Sequence, residues 1–148
     1  MEITNNRILF VDDEELVLAK IERKLAAEDF TMFFATSGEE ALEILAEEEI
    51  AVIVIDLSMP QVNGVKLLKM LNYDYPDLIK IIFSAYSDTN TMLSALNSGE
   101  VYHYIPKKIV DKQEGYKIEF IPVLYRAVER YNLIQENKKL KKELSEIK

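Results

Sequence analysis

The chain contains no cysteine and only one histidine among its 148 residues. Without cysteine there are no disulfides, no thiol nucleophile and no cysteine-ligated zinc, and a reducing cytoplasm is the simplest setting. The single histidine, His103, excludes a multi-histidine metal site, and we expect it to be structural or solvent-facing. The apolar runs are too short to span a bilayer, and no basic-then-apolar segment opens the chain. We therefore expect neither a membrane anchor nor a signal peptide.

Basic residues are scarce relative to acidic ones, and the formal net charge is −8. Residues 1–125 hold twice as many acidic as basic residues, whereas residues 126–148 are net basic. An acidic surface repels phosphates, so we do not expect the body of the chain to bind nucleic acid directly. The basic residues of the tail have the spacing of a solvated helix face, which leaves this expectation unchanged.

The sequence alternates between short apolar runs and amphipathic segments, over a length that suits one domain with an appendage. Runs of β-branched and aromatic residues predict strands at 7–12, 30–35, 51–56, 80–84 and 102–105. Helical spacing and capping signals predict helices at 15–28, 38–48, 64–71 and 88–97. Ser37 lies three residues before Glu40, which predicts a capping box at the start of the second of these helices. This alternation predicts an α/β fold with a parallel sheet and right-handed crossovers.

Polar side chains follow these strands where each one ends. Asp12 and Asp13 follow the first strand, Asp56 ends the third, Ser84 ends the fourth, and Lys107 follows the fifth. The carboxyl ends of parallel strands share one edge of a sheet, and ligands bind there. Crowded carboxylates raise one another's pKa unless a cation keeps them ionised, and oxygen ligands suit a hard ion. The sequence therefore predicts a Mg²⁺ site at this edge.

These features resemble the receiver domain of two-component response regulators, which is the phosphoacceptor partner of sensor histidine kinases. The shared parts are the acidic pair in FVDDEE, the motif DLSMPQVNG (56–64), the pair SA (84–85) and the lysine in YIPKK (104–108). The resemblance implies a flavodoxin-like (βα)5 three-layer sandwich whose five-stranded parallel sheet has the order 2-1-3-4-5. It also implies a receiver domain over residues 1–120, with an extended C-terminal helix over residues 121–148.

The resemblance implies a role for each acidic residue. Asp56 would accept a phosphoryl group from a sensor histidine kinase or a phosphotransfer protein. Asp13 would bind Mg²⁺ directly, Asp12 would bind it directly or through water, and Asp56 and the backbone carbonyl of Ser58 would complete the protein ligands. The ion would offset the negative charge that builds up as phosphate approaches this pocket.

The resemblance also implies how the phosphorylated state is held and sensed. Lys107 would pair with one phosphoryl oxygen, Ser84 would hydrogen-bond another, and Tyr104 takes the place of the switch aromatic whose rotamer follows Ser84. The sequence departs from the family beside the lysine, because Lys107 is followed by Lys108 and its proline, Pro106, precedes it. A non-proline cis bond costs about 3 kcal/mol, so we expect a trans peptide between the two lysines. The fit of Lys107 is therefore open, with Lys108 as a substitute.

Two further positions would set the lifetime of the phosphorylated state. In receivers, the residues that correspond to Ser58 and Tyr86 flank the line along which water attacks the acyl phosphate. Serine could hold such a water, whereas the tyrosine ring could cover the phosphoryl group and exclude it. We expect exclusion to dominate, which gives slow self-dephosphorylation rather than the turnover of an enzyme.

Two other functions are weighed against this one. A hydrolase of the haloacid dehalogenase type also uses an aspartate nucleophile and Mg²⁺, but it needs a second aspartate two residues later, where this chain has Ser58. A degenerate receiver, acting only as an interaction or dimerisation module, is the alternative that remains. The lack of proline after Lys107 supports it, and the presence of every site residue opposes it.

The C-terminal part predicts a loop followed by one long helix. Gly115 and Pro122 predict a longer loop after Lys107 and a helix that begins near Ile121. The apolar residues Leu124, Val128 and Tyr131 would face the sheet.

Beyond Tyr131 the apolar stripe of this helix shifts to a three-four spacing. Its positions are Leu133, Asn137, Leu140, Leu144 and Ile147. A single asparagine among such positions can fix the register of a parallel pair of helices. Two interpretations stay open, a short coiled coil that makes a homodimer and a solvated helical linker.

Overall fold

The computed structural model describes residues 5–57, 64–85 and 101–147. Its five strands form one parallel sheet in the order β2-β1-β3-β4-β5, which confirms the predicted fold class and strand order. The strands are Arg7–Val11 (β1), Thr31–Ala35 (β2), Val52–Ile55 (β3), Ile79–Ser84 (β4) and His103–Pro106 (β5). Each strand begins and ends within one residue of its predicted bounds.

Helices cover both faces of this sheet. They are Glu15–Lys24 (α1), Gly38–Glu47 (α2), Gly64–Asp74 (α3) and the C-terminal helix Ile121–Ile147. The Ser37 side chain accepts a hydrogen bond from the Glu40 N–H at 3.1 Å, so the predicted cap of α2 is confirmed. The helix predicted at residues 88–97 lies outside the described residues.

The apolar side chains form two cores, one on each face of the sheet. On one face, buried residues of α1 and the C-terminal helix pack against the sheet. On the other face, buried residues of α2 and α3 do so. Every residue of β3 and β4 is buried, as expected for strands covered on both faces. The result is the predicted three-layer sandwich.

The segment between β5 and the C-terminal helix is helical, so the predicted loop is wrong. A 3₁₀ helix covers Lys107–Asp111, one helical turn covers Gln113–Gly115, and a π-helical turn covers Tyr116–Phe120. Gly115 allows two of these pieces to approach each other. A Cβ at this position would lie only 2.5 Å from the Ile109 carbonyl oxygen. The glycine therefore provides close packing here and does not break the helix.

The π-helical turn joins this segment to the C-terminal helix. The Ile121 N–H donates to the Tyr116 carbonyl, a bond across five residues that widens the turn just before Pro122. Pro122 has no N–H to donate, so it fits at this junction without leaving a donor unpaired. Phe120 is fully buried, with its ring centroid 5.3 Å from that of Phe83 in β4. Packing against the sheet thus fixes this segment as helix.

The first half of the C-terminal helix packs on the domain and the second half extends beyond it. Leu124, Val128 and Tyr131 are buried, which confirms the predicted apolar face. Farther along, Gln135 and Lys138 donate hydrogen bonds to Asp77, which precedes β4. In the described part of the chain, we find no helix with the length and apolar character needed to cross a membrane.

Candidate functional site

Strand register brings two aspartates together at the carboxyl edge of the sheet. Val11, the last residue of β1, pairs with Ile55, the last residue of β3. Asp12 and Asp56 therefore leave neighbouring strands at the same level. Their backbones continue the ladder, because the Asp56 N–H donates to the Val11 carbonyl at 3.0 Å. Both side chains are almost fully buried, with 2% and 3% of their surfaces exposed.

Each carboxylate oxygen of Asp56 has a partner from a different strand end. The Ser84 hydroxyl at the end of β4 donates to Asp56 Oδ1 at 3.1 Å. The Lys107 ammonium, one residue beyond β5, donates to Asp56 Oδ2 at 2.8 Å. Ser84 also pairs in register with Pro106, so the proline that ends β5 places the next residue at this edge. Asp56 is thus held between one neutral and one cationic donor.

Lys107 also pairs with the second buried aspartate. Its Nζ lies 2.8 Å from Asp12 Oδ2, while the Glu14 backbone N–H donates to Asp12 Oδ1 at 2.9 Å. Burial raises the pKa of the Asp12 carboxyl above its ordinary value, and the lysine only partly opposes this. Burial alone would lower the pKa of Lys107, but hydrogen bonds to the two carboxylates outweigh it and raise that pKa. Lys107 therefore stays cationic at neutral pH.

A third carboxylate lies at the outer side of this pair. Carboxylate oxygens of Asp12, Asp13 and Asp56 all lie within 4.8 Å of one another, and Asp13 is exposed whereas the other two are buried. Three oxygen donors at this spacing, one of them open to solvent, suit a hard cation such as Mg²⁺. The raised pKa of Asp12 also indicates a place where additional positive charge would be stabilising. The residues present fit the ion that the sequence predicts.

A tyrosine connects the end of β4 to β5. The Tyr104 hydroxyl donates to the Ser84 backbone carbonyl at 3.2 Å, and its half-buried ring packs against the core on the α2 and α3 face. The same residue, Ser84, thus contacts Asp56 through its side chain and Tyr104 through its backbone. A displacement of Ser84 would therefore move the acceptor of the Tyr104 hydrogen bond.

With this geometry established, comparison with known proteins identifies the family. The family model described as response regulator receiver domain matches residues 8–118. The chain belongs to this family. This receiver is 32% identical over 100 residues to the hydrogenase transcriptional regulatory protein HoxA of Cupriavidus necator, covering 68% of this chain and 20% of that protein.

Two further similar proteins are a curated relative and a solved structure. The DNA-binding transcriptional regulator NtrC of Escherichia coli is 33% identical over 122 residues, which cover 82% of this chain and 24% of NtrC. The chain thus spans only a fifth to a quarter of the length of these two curated relatives. The crystal structure of a signal receiver domain from an HD domain-containing protein of Pseudomonas fluorescens is 27% identical, with a TM-score of 0.76. That match covers 86% of this chain and 98% of the other.

Lys107, which no proline directly follows in this sequence, reaches the site in this receiver. Lys107 contacts both buried aspartates although Lys108 follows it, while the side chain of Lys108 is exposed. His103 is exposed, as expected for a residue that alternates with its neighbours on β5. Ser58 and Tyr86, which the sequence assigns to metal binding and to dephosphorylation, lie outside the described residues.

Some contacts of the receiver site could not be found from side-chain chemistry. The Glu14 backbone N–H orients Asp12, and any residue except proline could supply that donor. A buried residue away from this site, Asn132, was also missed. It lies directly after the predicted apolar face of the C-terminal helix and is buried, and a polar residue at the border of such a face is a usable signal.

Proposed function

We propose that Asp56 accepts a phosphoryl group from a sensor histidine kinase or a phosphotransfer protein in a Mg²⁺-dependent reaction, and that this switches the conformation of the receiver. The observation that carries the proposal is the arrangement around Asp56. Its carboxylate is buried, one oxygen accepts from Lys107 at 2.8 Å, and the other accepts from Ser84 at 3.1 Å. A nucleophile, a fixed cation and a neutral donor are together at the sheet edge where ligands bind in such folds.

The transfer step follows from these contacts. An oxygen of the Asp56 carboxylate attacks phosphorus, and a P–O bond forms while the P–N bond to the donor's histidine breaks. The histidine nitrogen keeps the electron pair of the broken bond and takes up a proton. The Lys107 ammonium, which is cationic and already adjacent, then pairs with a phosphoryl oxygen and offsets its charge. Asp12 keeps Lys107 in place while the contact with Asp56 is exchanged.

Mg²⁺ belongs to the same proposal. Asp12, Asp13 and Asp56 would hold it, together with the backbone carbonyl of Ser58. When bound, the ion supplies positive charge that lets an anionic phosphoryl group enter a pocket of carboxylates. The outer residue, Asp13, is the exposed member of the cluster and leaves the site open towards solvent.

The switch would use Ser84 and Tyr104. The Ser84 hydroxyl now donates to Asp56 Oδ1, so it must turn towards a phosphoryl oxygen once Asp56 is modified. Because the Tyr104 hydroxyl is bonded to the Ser84 carbonyl, a movement of Ser84 breaks or lengthens that bond. Tyr104 lies on β5 and its ring packs on the face that α2 and α3 cover, so the change would reach β5 and the side chains on that face.

The proposal includes the organisation of the chain. Residues 1–120 would form the receiver, and residues 121–148 would continue its last helix. We propose that it is a cytoplasmic signalling domain that loses its phosphoryl group slowly by its own hydrolysis. NtrC is named as a DNA-binding regulator, but the match covers 24% of it, and the acidic body of this chain opposes direct contact with nucleic acid.

The test is phosphoryl incorporation from acetyl phosphate, measured as intact mass with and without Mg²⁺. The native chain should gain one phosphoryl group in Mg²⁺ and none in chelator. Asp56→Asn should gain none, whereas Asp74→Asn, the same substitution at an exposed position of α3, should behave as the native chain does. Equal incorporation in Asp56→Asn and the native chain would refute the assignment.

A further inference from the structure

We infer that residues 133–147 pair with the same residues of a second copy of this chain, as a parallel, in-register two-stranded coiled coil. This inference goes beyond the proposed phosphoryl transfer and does not depend on it. It rests on three observations about the C-terminal helix: which face is left exposed, how its charges are placed, and how the helix is held.

The exposed apolar residues form a seam on one side of the helix. Leu133 is 49% exposed, and the exposed fraction rises through Leu140 and Leu144 to Ile147, which is 80% exposed. Together with Asn137 they occupy a and d positions of consecutive heptads, with d at 133, 140 and 147 and a at 137 and 144. Half of the large hydrophobic side chains that the described residues expose lie on this seam. A seam of this regularity is typical of a helix that packs against another helix.

The seam faces away from the receiver. At 100° per residue, its centre lies about half a turn round the helix from the face that includes Val128 and Asn132. Those residues are buried against the domain, and Gln135 and Lys138 reach Asp77 from nearly the same side. One helix can therefore bind its own receiver and a second helix at the same time, with the two receivers on the outside of the pair.

The charges that flank the seam select the partner and the direction. Glu136 and Glu143 are at g positions, and Lys141 is at an e position, all exposed. In a parallel pair, a g residue lies beside the e residue five positions later on the other helix, so Glu136 meets Lys141 of the second copy. In the sequence, Lys148 is at the e position five after Glu143. The same chain thus supplies both members of each attractive pair.

The opposite direction is disfavoured by the same residues. In an antiparallel pair, g positions lie beside g positions and e positions beside e positions. Glu136 and Glu143 would then face glutamates, and Lys141 would face lysines, which is repulsive. Asn137 adds to the parallel preference, because two asparagines at matching a positions hydrogen-bond to each other only when the register is correct.

The short length of the seam is offset by the way the helix is held. An isolated helix of this length would be marginal, because the first turn is costly to form. Here the helix continues from Ile121 and is packed on the domain through Tyr131, so residues 133–147 extend a helix that already exists. Association therefore orders little new backbone, and the apolar seam can drive pairing over only two heptads.

The central test exchanges charges across the pair and follows sedimentation equilibrium. Glu136→Lys and Lys141→Glu, each alone, place like charges opposite each other twice per dimer and should weaken pairing by roughly tenfold. An equimolar mixture of the two variants should pair as the native chain does. In the mixed dimer, the positive charge introduced at position 136 of one chain faces the negative charge introduced at position 141 of the other. Glu146→Lys and Lys139→Glu change the net charge equally at outer c positions and should leave pairing unchanged.

Disulfide cross-linking tests whether the two helices run parallel. The test is possible because the chain has no cysteine of its own. Leu133→Cys alone should form a disulfide-linked dimer on oxidation, because equal positions meet only in a parallel pair. A mixture of Leu133→Cys and Ile147→Cys that links only as the mixed dimer would show the antiparallel pair and overturn the inference.

A double variant separates pairing from folding and from phosphoryl transfer. Leu140→Lys with Leu144→Lys should give a monomer that still takes up a phosphoryl group from acetyl phosphate. If the native chain stays monomeric at its highest soluble concentration, both with and without beryllofluoride and Mg²⁺, the inference is wrong and the helix is a solvated linker. If the charge variants, their mixture and the native chain all pair equally, the charge-selected register is wrong.

Discussion

The side chain of Asn132 hydrogen-bonds both backbone groups of Asn5, accepting from its N–H at 3.1 Å and donating to its carbonyl at 2.8 Å. The Asn132 amide also donates to the Val128 carbonyl one turn earlier. Asn132 and Asn5 are both buried, so water does not compete for these bonds. One amide thus connects the C-terminal helix to the residues that lead into β1.

Replacement of Asn132 should therefore cost more than loss of an ordinary hydrogen bond. Asn132→Ala leaves the N–H and carbonyl of Asn5 without these partners in a buried place, and the free energy of unfolding should fall by about 2–3 kcal/mol. Asn6→Ala is the matched control, because the bonds of Asn6 to Asp29 and Thr31 are exposed and water can replace them. Urea denaturation measures both variants, and equal losses would contradict this account of Asn132.

Tyr131 predicts a pH dependence at the same end of the sheet. Its hydroxyl donates to Glu49 at 3.1 Å, and burial together with the Glu49 charge raises the pKa of Tyr131 to about 12. A raised pKa favours the protonated, folded form, so the contribution of Tyr131 is complete below pH 10 and is lost as the pH rises towards 12. The difference in unfolding free energy between the native chain and Tyr131→Phe should shrink over that range.

The charge on Glu49 is the control for this pH dependence. Glu49→Gln keeps a hydrogen-bond acceptor but removes the negative charge, so the pKa of Tyr131 should be less raised. The loss of its contribution to stability should therefore be complete at lower pH. A stability difference between the native chain and Tyr131→Phe that stays constant from neutral pH to pH 12 would show that the tyrosine hydroxyl is not coupled to folding.

The acidic cluster predicts opposite effects of one substitution with and without metal. Because burial raises the pKa of Asp12, its ionised form costs the folded chain free energy above pH 3.8. In chelator, Asp12→Asn should therefore be at least as stable as the native chain. With Mg²⁺ at about 100 times its Kd, the native chain should gain about 2.7 kcal/mol, and both Asp12→Asn and Asp13→Asn should gain much less. Thermal melts in chelator and in Mg²⁺ measure these signs, and an equal Mg²⁺ gain in all three proteins would refute the cluster.

The fold was predictable because each strand has a local signal. The β-branched run of β3 and the capping pair Ser37 and Glu40 can be interpreted without tertiary information, and strand order followed from the family resemblance. The clustering of the aspartates was also predictable, since residues that follow parallel strands share one edge of the sheet. Whether Lys107 reaches them depends on the path of the chain after Pro106, which the missing proline left open. The structure places its ammonium 2.8 Å from both Asp12 and Asp56.

The segment after Lys107 was not predictable from local signals. Gly115 and Pro122 are typical of loops, but the glycine serves a close approach to Ile109 and the proline follows a π-helical turn. Burial of Phe120 and Tyr116 against the sheet decides the conformation, and that packing is tertiary information. Asn132 was missed for a similar reason, because its bonds to Asn5 join it to backbone atoms 127 residues away.

The lifetime of the phosphorylated state depends in this account on Tyr86. By its place in the sequence, two residues after Ser84, its ring would cover the phosphoryl group and exclude the attacking water. Tyr86→Ala should shorten the lifetime by roughly tenfold, which corresponds to about 1.4 kcal/mol of barrier. Tyr73→Ala, a substitution of an exposed tyrosine on α3, should leave it unchanged. Decay of labelled phosphate measures this, and an unchanged or slower decay in Tyr86→Ala would show that the residue points away from the site.

The central claim is that the buried Asp56, between Lys107 and Ser84, is the residue that takes the phosphoryl group. Borohydride reduces an aspartyl phosphate to homoserine, which peptide mass spectrometry can locate in the sequence. After incubation with acetyl phosphate and Mg²⁺, the account predicts homoserine at position 56 and at neither Asp12 nor Asp13. Homoserine at one of those two positions, or none at position 56 in a chain that has gained a phosphoryl group, would contradict it.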